Sequence, residues 1–384
     1  MSSSNTVRLL HLADVHLGVK CAFLEHQAKQ DERAKDFERA FRRAIELARA
    51  PENGINLVII AGDLFDSHKP DRRLVELVKS EFALIGQAGI RVVLIPGTHD
   101  TASYRNSIYK TEKFGDAIVI TDNRQSPMRL EVAQQPVSLY SVVRTPDCRE
   151  VPLDRLSRVS GDGIHIGVLH AAVPDKSSMD FSDTEFTITL PTLARTRLDY
   201  VALGHFHNFK QYYPDGVTVV YPGTLEGRSF RETGERYLVT ATFAQGKVLV
   251  EKTPINARTV RDETIDLART PCAHRDELLA RIEKMAGDNV IMRLAIAGTA
   301  DFTFDAATIE SALADKFFYL KLVDDTRVYD ARWAEQYQNE RTVRGVFVRR
   351  LIDRIEKART PEEKKVLDMA LKFGLLELSG PDAD

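Results

Sequence analysis

Five short motifs of acidic and histidine residues recur along the chain, and each follows a short apolar run. Half of the ten histidines belong to this series. In chain order the motifs are Asp14-Val15-His16, Gly62-Asp63, Gly97-Thr98-His99-Asp100, Leu169-His170 and Gly204-His205-Phe206-His207. Short buried strands bring the residues that follow them to one edge of a sheet, where open α/β folds place their binding sites. The pattern therefore predicts an α/β protein whose motifs converge on one site.

The side chains of these motifs are carboxylates and imidazoles, and no thiolate belongs to the series. This donor set suits hard or borderline divalent ions such as Mn²⁺, Fe²⁺ or Zn²⁺. The series contains more ligand-type residues than a single ion needs. Two metal ions therefore fit the sequence better than one.

The series resembles the calcineurin-like metallophosphoesterase family, whose motifs are D-x-H, G-D, G-N-H-D, an isolated H and G-H-x-H in this order. The resemblance extends over roughly residues 7–230. Three segments are similar to the SbcD-like DNA-repair exonuclease branch of that family, namely His11–Gly18, Gly62–Asp66 and Tyr221–Thr224. The five motifs together are specific, whereas D-x-H or G-D alone carries almost no information.

The resemblance implies a site for two divalent ions, with Mn²⁺ as the expected metal. The implied ligands are Asp14, His16 and His207 for the first ion, Asp63 as the bridge, and His170 and His205 for the second ion. Two such ions stabilise the attacking and the leaving oxygen of a phosphoryl displacement. The histidines bind metal only as neutral imidazoles, so acid pH is expected to abolish activity.

The third motif departs from the family at one position. The family has an Asn whose carbonyl oxygen binds the second metal, and this chain has Thr98. A hydroxyl is a weaker ligand with a shorter reach, so binding of the second ion is expected to be weakened. The resemblance further implies that His99, paired with Asp100, is an acid that binds no metal and stabilises the leaving oxygen or the transition state.

The family implies a four-layer α/β/β/α metallophosphoesterase sandwich with a small α+β capping domain and a C-terminal helical tail. The expected limits are 1–254 for the nuclease domain, 255–330 for the capping domain and 331–384 for a helical partner-docking segment. Apolar residues near helical spacing predict helices around Phe37 to Ala48 and after Pro70. From about Met128 the strands shorten, which predicts a second, more antiparallel sheet.

Two amphipathic helices are expected near the end of the chain, with one apolar stripe from Val343 to Ile355 and another from Val366 to Leu376. These faces dock either on the chain's own body or on a partner. In the resembling family, a C-terminal helical segment binds the coiled coil of an SbcC-like SMC-type ATPase. This chain has no phosphate-binding loop of the pattern G-x-x-x-x-G-K-[ST], so such an ATPase is a separate protein.

The favoured function is a metal-dependent DNA exo/endonuclease, the nuclease subunit of a DNA break-repair complex with an SMC-like ATPase. It would act on double-stranded ends, single strands or both, and the resemblance allows a homodimer. One alternative is a small-molecule metallophosphodiesterase. The other is a metal-deficient module that binds DNA ends or a partner. The capping domain and the tail argue against a small substrate, which needs neither.

Composition excludes several broad classes. The net charge of −3 provides no general basic field for nucleic acid, so DNA contacts must be local or come from a partner. Three cysteines without paired spacing and the lack of a long apolar stretch predict a cytoplasmic protein without membrane contact. Outside the motifs, His11 and His165 are expected to be hydrogen-bonded core residues.

Overall fold

The computed structural model describes residues 6–123, 126–144, 151–174, 186–300, 302, 304–327 and 340–378. The chain divides into two compact units, Met1–Thr259 and Val260–Asp384. The first division thus lies five residues beyond the boundary expected from the sequence. The second expected boundary, between residues 330 and 331, lies outside the described residues, as does Cys148.

The first unit contains a six-stranded sheet with the order β12-β11-β1-β2-β3-β4. Its strands are β1 (Val7–Leu12), β2 (Leu57–Ala61), β3 (Arg91–Ile95), β4 (Ile118–Val119), β11 (Tyr237–Ala244) and β12 (Lys247–Pro254). Strands β1 to β4 are parallel, and β11 and β12 extend the sheet in antiparallel fashion. Helices α1 (Gln27–Arg49) and α2 (Arg72–Gln87) pack on one face, as their apolar spacing predicts.

The second sheet has the order β5-β6-β7-β8-β10-β9. Its strands are β5 (Met128–Val132), β6 (Gln135–Val142), β7 (Ile164–His170), β8 (Tyr200–Gly204), β9 (Lys210–Tyr212) and β10 (Thr218–Tyr221). The expectation of a more antiparallel sheet is wrong, because β6, β7, β8 and β10 are mutually parallel and only the edge strands are antiparallel. The fully buried runs of β8 and β10 are typical of interior parallel strands.

The two sheets pack face to face over a core that includes Leu9, Ile59, Val93, Ile166 and Tyr200. The outer face of the second sheet is covered by loops and by α4 (Leu190–Thr196), whereas the short α3 (Ile108–Thr111) follows the third motif. Single 3₁₀ turns occur at Pro51–Asn53, Leu153–Arg155, Pro214–Gly216 and, in the second unit, Ala314–Lys316. The four-layer α/β/β/α sandwich is thereby confirmed.

The second unit begins with an alternating β-α-β-α-β segment. Its elements are β13 (Thr259–Asp266), α5 (Arg275–Glu283), β14 (Gly287–Thr299), α6 (Ala306–Ala312) and β15 (Phe317–Arg327). The strands form one sheet in which β14 and β15 are parallel. Leu278, Ile282 and Ile296 lie in its separate apolar core.

The same unit contains a helical hairpin of α7 (Val343–Lys357) and α8 (Pro361–Leu378). The two helices bury Val348, Leu351, Ile355, Leu367 and Leu371 against each other. The side chains of Leu375 and Leu376, on the expected second stripe, lie outside those that the structure describes. Among the described residues, no helix is both long enough and apolar enough to cross a membrane.

Candidate metal centre

All five motifs lie at the carboxyl ends of parallel strands, namely β1, β2 and β3 of the first sheet and β7 and β8 of the second. The loops after β1 and β2 are joined by backbone hydrogen bonds. The amide of Asp14 donates to the carbonyl of Gly62 at 3.1 Å, and the amide of His16 donates to the carbonyl of Asp63 at 2.9 Å. The first two motifs are therefore fixed relative to each other before any ligand binds.

Four motif residues adopt positive φ angles, which are uncommon for residues other than glycine. The values are 51° for Asp14, 50° for His16, 52° for Asp63 and 108° for His205. Such conformations cost free energy and persist only where surrounding contacts enforce them, as they often do at functional sites. Four of the nine described non-glycine residues with positive φ are thus residues that the family resemblance implies as ligands.

Three overlapping groups of side chains present ligand atoms within 4.8 Å of one another. The groups are Asp14, His16 and His207; His16, Asp63 and His99; and Asp14, Asp63 and His170. Asp14 and Asp63 each belong to two groups, and both are buried. Two shared carboxylates between neighbouring groups suit two adjacent cations better than one isolated cation.

Each of three buried or partly buried histidines has its Nδ1 bound to an oxygen atom. His16 donates to Asp66 Oδ1 at 3.0 Å, His170 to the carbonyl of Ala61 at 2.9 Å, and His207 to Glu232 Oε1 at 2.7 Å. A hydrogen bond of this kind fixes the ring and leaves Nε2 as the basic atom, the arrangement common among metal-binding histidines. These donors therefore fit divalent metal ions.

Electrostatics among the buried motif side chains favour a bound positive charge. The Nε2 of His170 lies 3.3 Å from Asp63 Oδ2, yet it is buried without a hydrogen-bond partner among the described residues. Burial opposes ionisation of this ring, but the charges of Asp63 and Asp14 outweigh it and raise the pKa of His170 to about 10. Burial likewise opposes the charge of Asp63, and His170 and His16 overcome it, so that the pKa of Asp63 is lowered.

Three motif glycines are required by close approach, and a Cβ on Gly204 would lie 2.0 Å from the carbonyl oxygen of Ala61. A Cβ on Gly97 would lie 2.1 Å from Asp63 Oδ1, and one on Gly62 would lie 2.3 Å from His170 Nδ1. A Cβ atom essentially never lies this close to an atom to which it is not bonded. The G-D and G-T-H-D patterns thus contain glycine because the backbone passes directly against the side chains of His170 and Asp63.

The third motif surrounds the carboxylate of Asp63. The Thr98 hydroxyl donates to Asp63 Oδ2 at 3.2 Å, and the amide of His99 donates to Asp63 Oδ1 at 2.8 Å. Thr98 therefore contacts Asp63, the implied bridging ligand, through a hydrogen bond that its hydroxyl donates. The His99 side chain is 40% exposed, and its Nδ1 lies 3.3 Å from the carbonyl oxygen of Asp66.

Asp100 is fully buried and holds the turn of the third motif together. Its carboxylate accepts hydrogen bonds from the amides of Gly97 at 2.7 Å and Phe65 at 3.2 Å and from the hydroxyl of Tyr109 at 2.5 Å. Burial, followed by the charge of Asp63, raises the pKa of Asp100 to about 6. Its hydrogen bonds to described residues include none to His99, the expected pair.

His205 lies beside the clustered ligands. Its ring is 5.5 Å from that of His170 between centroids, and its amide donates to both carboxylate oxygens of Asp14. Burial and then the charge of His170 lower the pKa of His205 to about 4, which keeps the ring neutral. The structure thus brings His205 to the site, although His205 belongs to none of the three ligand groups.

Three residues without an expected role also contribute to the site. Asp66 orients His16, Glu232 orients His207, and the Nη1 of Arg228 lies 2.5 Å from His16 Nε2. Asp66 lies only three residues after Asp63, and this proximity to the second motif could have identified it from the sequence. Arg228 and Glu232 follow the last motif by more than twenty residues and show no pattern.

Two further histidines confirm the expectation of core roles. His11 bonds to the hydroxyl of Tyr200 at 2.9 Å, and His165 bonds to that of Tyr140 at 2.7 Å. Both rings are buried. Burial lowers the pKa of His11 to about 3, so this ring stays neutral inside the sandwich.

Known proteins of two kinds resemble the chain. The DNA double-strand break repair protein Mre11 of Archaeoglobus fulgidus is 29% identical over 60% of this chain and 52% of its own length. The Mre11 protein of Thermoplasma acidophilum is 34% identical over 68% of this chain and 64% of its own length. The uncharacterized metallophosphoesterase YhaO of Bacillus subtilis is 25% identical over 76% of this chain and 72% of its own length. The chain thus spans about half the length of the Archaeoglobus relative.

The match to a family profile covers all five motifs. Residues 7–209 match the calcineurin-like phosphoesterases, a span that runs from the first residue of β1 to just beyond His207. This span contains the implied ligands, the four motif residues with positive φ and the three close-packed motif glycines. With this profile over more than half of its residues, the chain belongs to the calcineurin-like phosphoesterase family.

Proposed function

We propose that this protein is a metal-dependent DNA exo/endonuclease that hydrolyses phosphodiester bonds and works with an SMC-like ATPase in DNA break repair. The observation that carries the proposal is the set of three histidines with Nδ1 bound to oxygen, arranged around two shared carboxylates. Relatives described as DNA double-strand break repair proteins support DNA as the substrate.

In this proposal Asp14, His16 and His207 would hold one ion, His170 and His205 with Thr98 would hold the other, and Asp63 would be shared by both. Mn²⁺ is the proposed metal, since oxygen and imidazole donors without thiolate suit it. Two bound ions would supply an acidified water and would offset negative charge on the phosphate. The protein supplies the fixed ring orientations and a buried carboxylate that stays ionised.

His99 is proposed as the proton donor to the leaving oxygen. It is the most exposed histidine of the site, so it can meet a substrate, and its amide already bonds to Asp63. With Nδ1 directed at the carbonyl of Asp66, Nε2 is the atom that exchanges a proton. Asp100 is proposed to position this turn, because its three hydrogen bonds go to Gly97, Phe65 and Tyr109.

The helical hairpin is proposed as the docking element for the ATPase. The mutual contact of α7 and α8 buries one face of each helix and leaves other apolar side chains in solvent. Val343 is 76% exposed, Val366 is 59% exposed and Phe373 is 62% exposed. An amphipathic coiled coil could cover such a face, which is the helix-in-groove mode of recognition.

One observation favours the metal-deficient alternative. The Thr98 hydroxyl donates its proton to Asp63, whereas the family's Asn offers a carbonyl oxygen to the metal. A protein that binds one ion weakly would still bind DNA ends or a partner. The test of function must therefore measure metal dependence as well as cleavage.

The test compares linear duplex DNA, single-stranded DNA and bis(p-nitrophenyl) phosphate, each with added Mn²⁺ and with excess chelator. We expect Mn²⁺-dependent cleavage of at least one DNA substrate, lost with chelator. Hydrolysis of the small diester alone would favour the small-molecule enzyme. Binding of DNA without hydrolysis of any substrate would favour the metal-deficient module.

The docking proposal has its own test. Phe373→Glu places a charge on the exposed apolar face, whereas Arg359→Glu adds the same side chain at an exposed position in the turn between the helices. We expect Phe373→Glu to lose co-purification with the SMC-like ATPase and Arg359→Glu to retain it. Neither variant should alter hydrolysis of the small diester. Equal retention by both variants would contradict the proposal.

A further inference from the structure

An arginine outside the implied ligand set reaches into the centre. Arg228 lies in the loop between β10 and β11, beyond the 7–209 span of the family match. Its Nη1 is 2.5 Å from His16 Nε2. An arginine side chain stays protonated and can only donate, so His16 Nε2 must accept. This assignment agrees with the other side of the ring, where Nδ1 donates to Asp66.

The base of the Arg228 side chain is firmly placed. Its amide donates to Glu232 Oε2 at 2.8 Å, and the other oxygen of Glu232 accepts from His207. The preceding carbonyl, that of Gly227, accepts from the buried Arg33 at 2.9 Å, and Arg33 also pairs with Glu226 at 2.6 Å. The loop therefore presents Arg228 to the pocket with the same carboxylate that orients His207.

Arg228 also has unused donor capacity at this place. Its Nε is buried and has no hydrogen-bond partner among the described residues. A buried donor without a partner is unfavourable, and more so for a charged group, so an acceptor is expected there. The planar guanidinium with several donors matches a phosphate group, which it commonly binds through two parallel hydrogen bonds.

His16 Nε2 cannot accept a hydrogen bond from Arg228 and bind a metal ion at the same time, because the atom has one lone pair. If that lone pair binds a metal ion, it no longer accepts from Arg228, and the guanidinium needs another acceptor nearby. Its positive charge also opposes a neighbouring cation, so Arg228 cannot stabilise the metal itself. An anion at the centre is the partner that satisfies both conditions.

We propose that Arg228 binds the non-bridging oxygens of the substrate phosphate and exchanges between these oxygens and His16 Nε2. The inference rests on the proposed phosphodiesterase function and names a residue for its substrate recognition. In the substrate complex the guanidinium adds positive charge where the phosphate gains negative charge. When no anion is bound and His16 is free of metal, Arg228 instead returns to the imidazole.

The test compares Arg228→Gln and Arg228→Lys with Arg231→Gln, which removes the same charge from an exposed position of the same loop. Calorimetry measures the binding of inorganic phosphate to the Mn²⁺-loaded protein, and electron paramagnetic resonance of free Mn²⁺ measures metal affinity. We expect Arg228→Gln to weaken phosphate binding by about tenfold or more, because a charge-assisted hydrogen bond is lost. Arg228→Lys should be intermediate and Arg231→Gln unchanged.

Metal affinity separates this role from a structural one. Removal of a cation that competes for His16 Nε2 should leave Mn²⁺ binding by Arg228→Gln unchanged or tighter. Wild-type phosphate affinity in Arg228→Gln, or weakened Mn²⁺ binding, would overturn the inference. If Arg228→Gln melts early without metal, Arg228→Lys decides, since it retains the charge and loses the paired geometry.

Failure of the nuclease proposal would look different. A wild-type protein that cleaves no DNA but binds phosphate through Arg228 would refute the nuclease function and support this inference. Conversely, normal DNA cleavage with phosphate affinity independent of Arg228 would support the nuclease function and refute this inference.

Discussion

Replacement of Gly97 by alanine tests whether the carboxylate of Asp63 is the centre of the site. The new Cβ would stand 2.1 Å from Asp63 Oδ1, and the nearest backbone atom, the amide nitrogen of Asp63, is 2.5 Å away. Contacts of a Cβ atom under 3.0 Å essentially never occur, so the carboxylate or the strand must move by about 1 Å. The hydrogen bond from the His99 amide to Asp63 Oδ1 would be disrupted by the same movement.

Displacement on this scale is large for a metal site. Ligand distances in well-formed sites lie within about 0.2 Å of their usual values, so a shift of about 1 Å removes a ligand. Changes in residues that merely orient ligands cost about 10–100-fold in metal affinity. We therefore expect Gly97→Ala to weaken Mn²⁺ binding by at least about 100-fold and to abolish hydrolysis at Mn²⁺ concentrations that saturate the wild type.

Gly86→Ala is the matched control. Gly86 lies in α2, and a Cβ there would meet no atom closer than Asp116 Oδ2 at 3.9 Å. We expect this variant to retain metal affinity and to gain up to about 1 kcal/mol of stability, since alanine favours helix. Titration with Mn²⁺ and metal-free melting curves measure both effects. Wild-type Mn²⁺ affinity in Gly97→Ala would refute the reasoning, because it would show that Asp63 is not a ligand at this position.

The remaining predictions concern the surroundings of the ligands. Thr98→Asn should lower the Mn²⁺ concentration for half-maximal activity, and no change would mean that the hydroxyl bound to Asp63 is sufficient. Glu232→Gln should weaken metal binding about 10–100-fold through disorientation of His207, measured by Mn²⁺ titration, and undiminished affinity would count against that role. The pKa of His170 is raised from 6.5 to about 10 in the folded, metal-free protein. Protonated His170 therefore stabilises the metal-free protein fully below pH 6.5, and this stabilisation is lost as the pH rises towards 10. Apparent Mn²⁺ affinity should therefore rise by about tenfold per pH unit between about 6.5 and 8.5, with one proton released on binding, and calorimetry without proton release would contradict this.

Most of the sandwich and the convergence of the motifs could be predicted from sequence because both depend on local patterns. A run such as Leu57–Ala61 is apolar throughout, so it indicates a strand buried on both faces, and the acidic residue that follows must lie at the sheet edge. The relative directions of the strands in the second sheet could not be inferred in this way. Strand direction depends on which strands become neighbours, and the pairing of β10 with β8 joins segments separated by an intervening strand.

The residues that orient the ligands were hidden for a related reason. Glu232 acts on His207 across 25 residues of sequence, and Arg228 reaches His16 across 212. Neither contact has a fixed spacing or a typical motif, since each depends on how the loop after β10 folds back. The role of Asp100 was similarly obscured, because the family resemblance implied a pair with His99, whereas the folded turn directs its carboxylate to Tyr109.

The most direct test of the account measures bound Mn²⁺ and hydrolysis together in the wild type and in His99→Ala. The wild type should bind two Mn²⁺ ions and cleave DNA, with the second ion bound more weakly. His99→Ala should bind the same number of ions and lose about 10²–10⁴-fold in turnover, because it removes a proton donor and no ligand. Wild-type turnover in His99→Ala, or the loss of a bound ion, would contradict the central claim that His99 acts as an acid at a two-metal phosphodiesterase site.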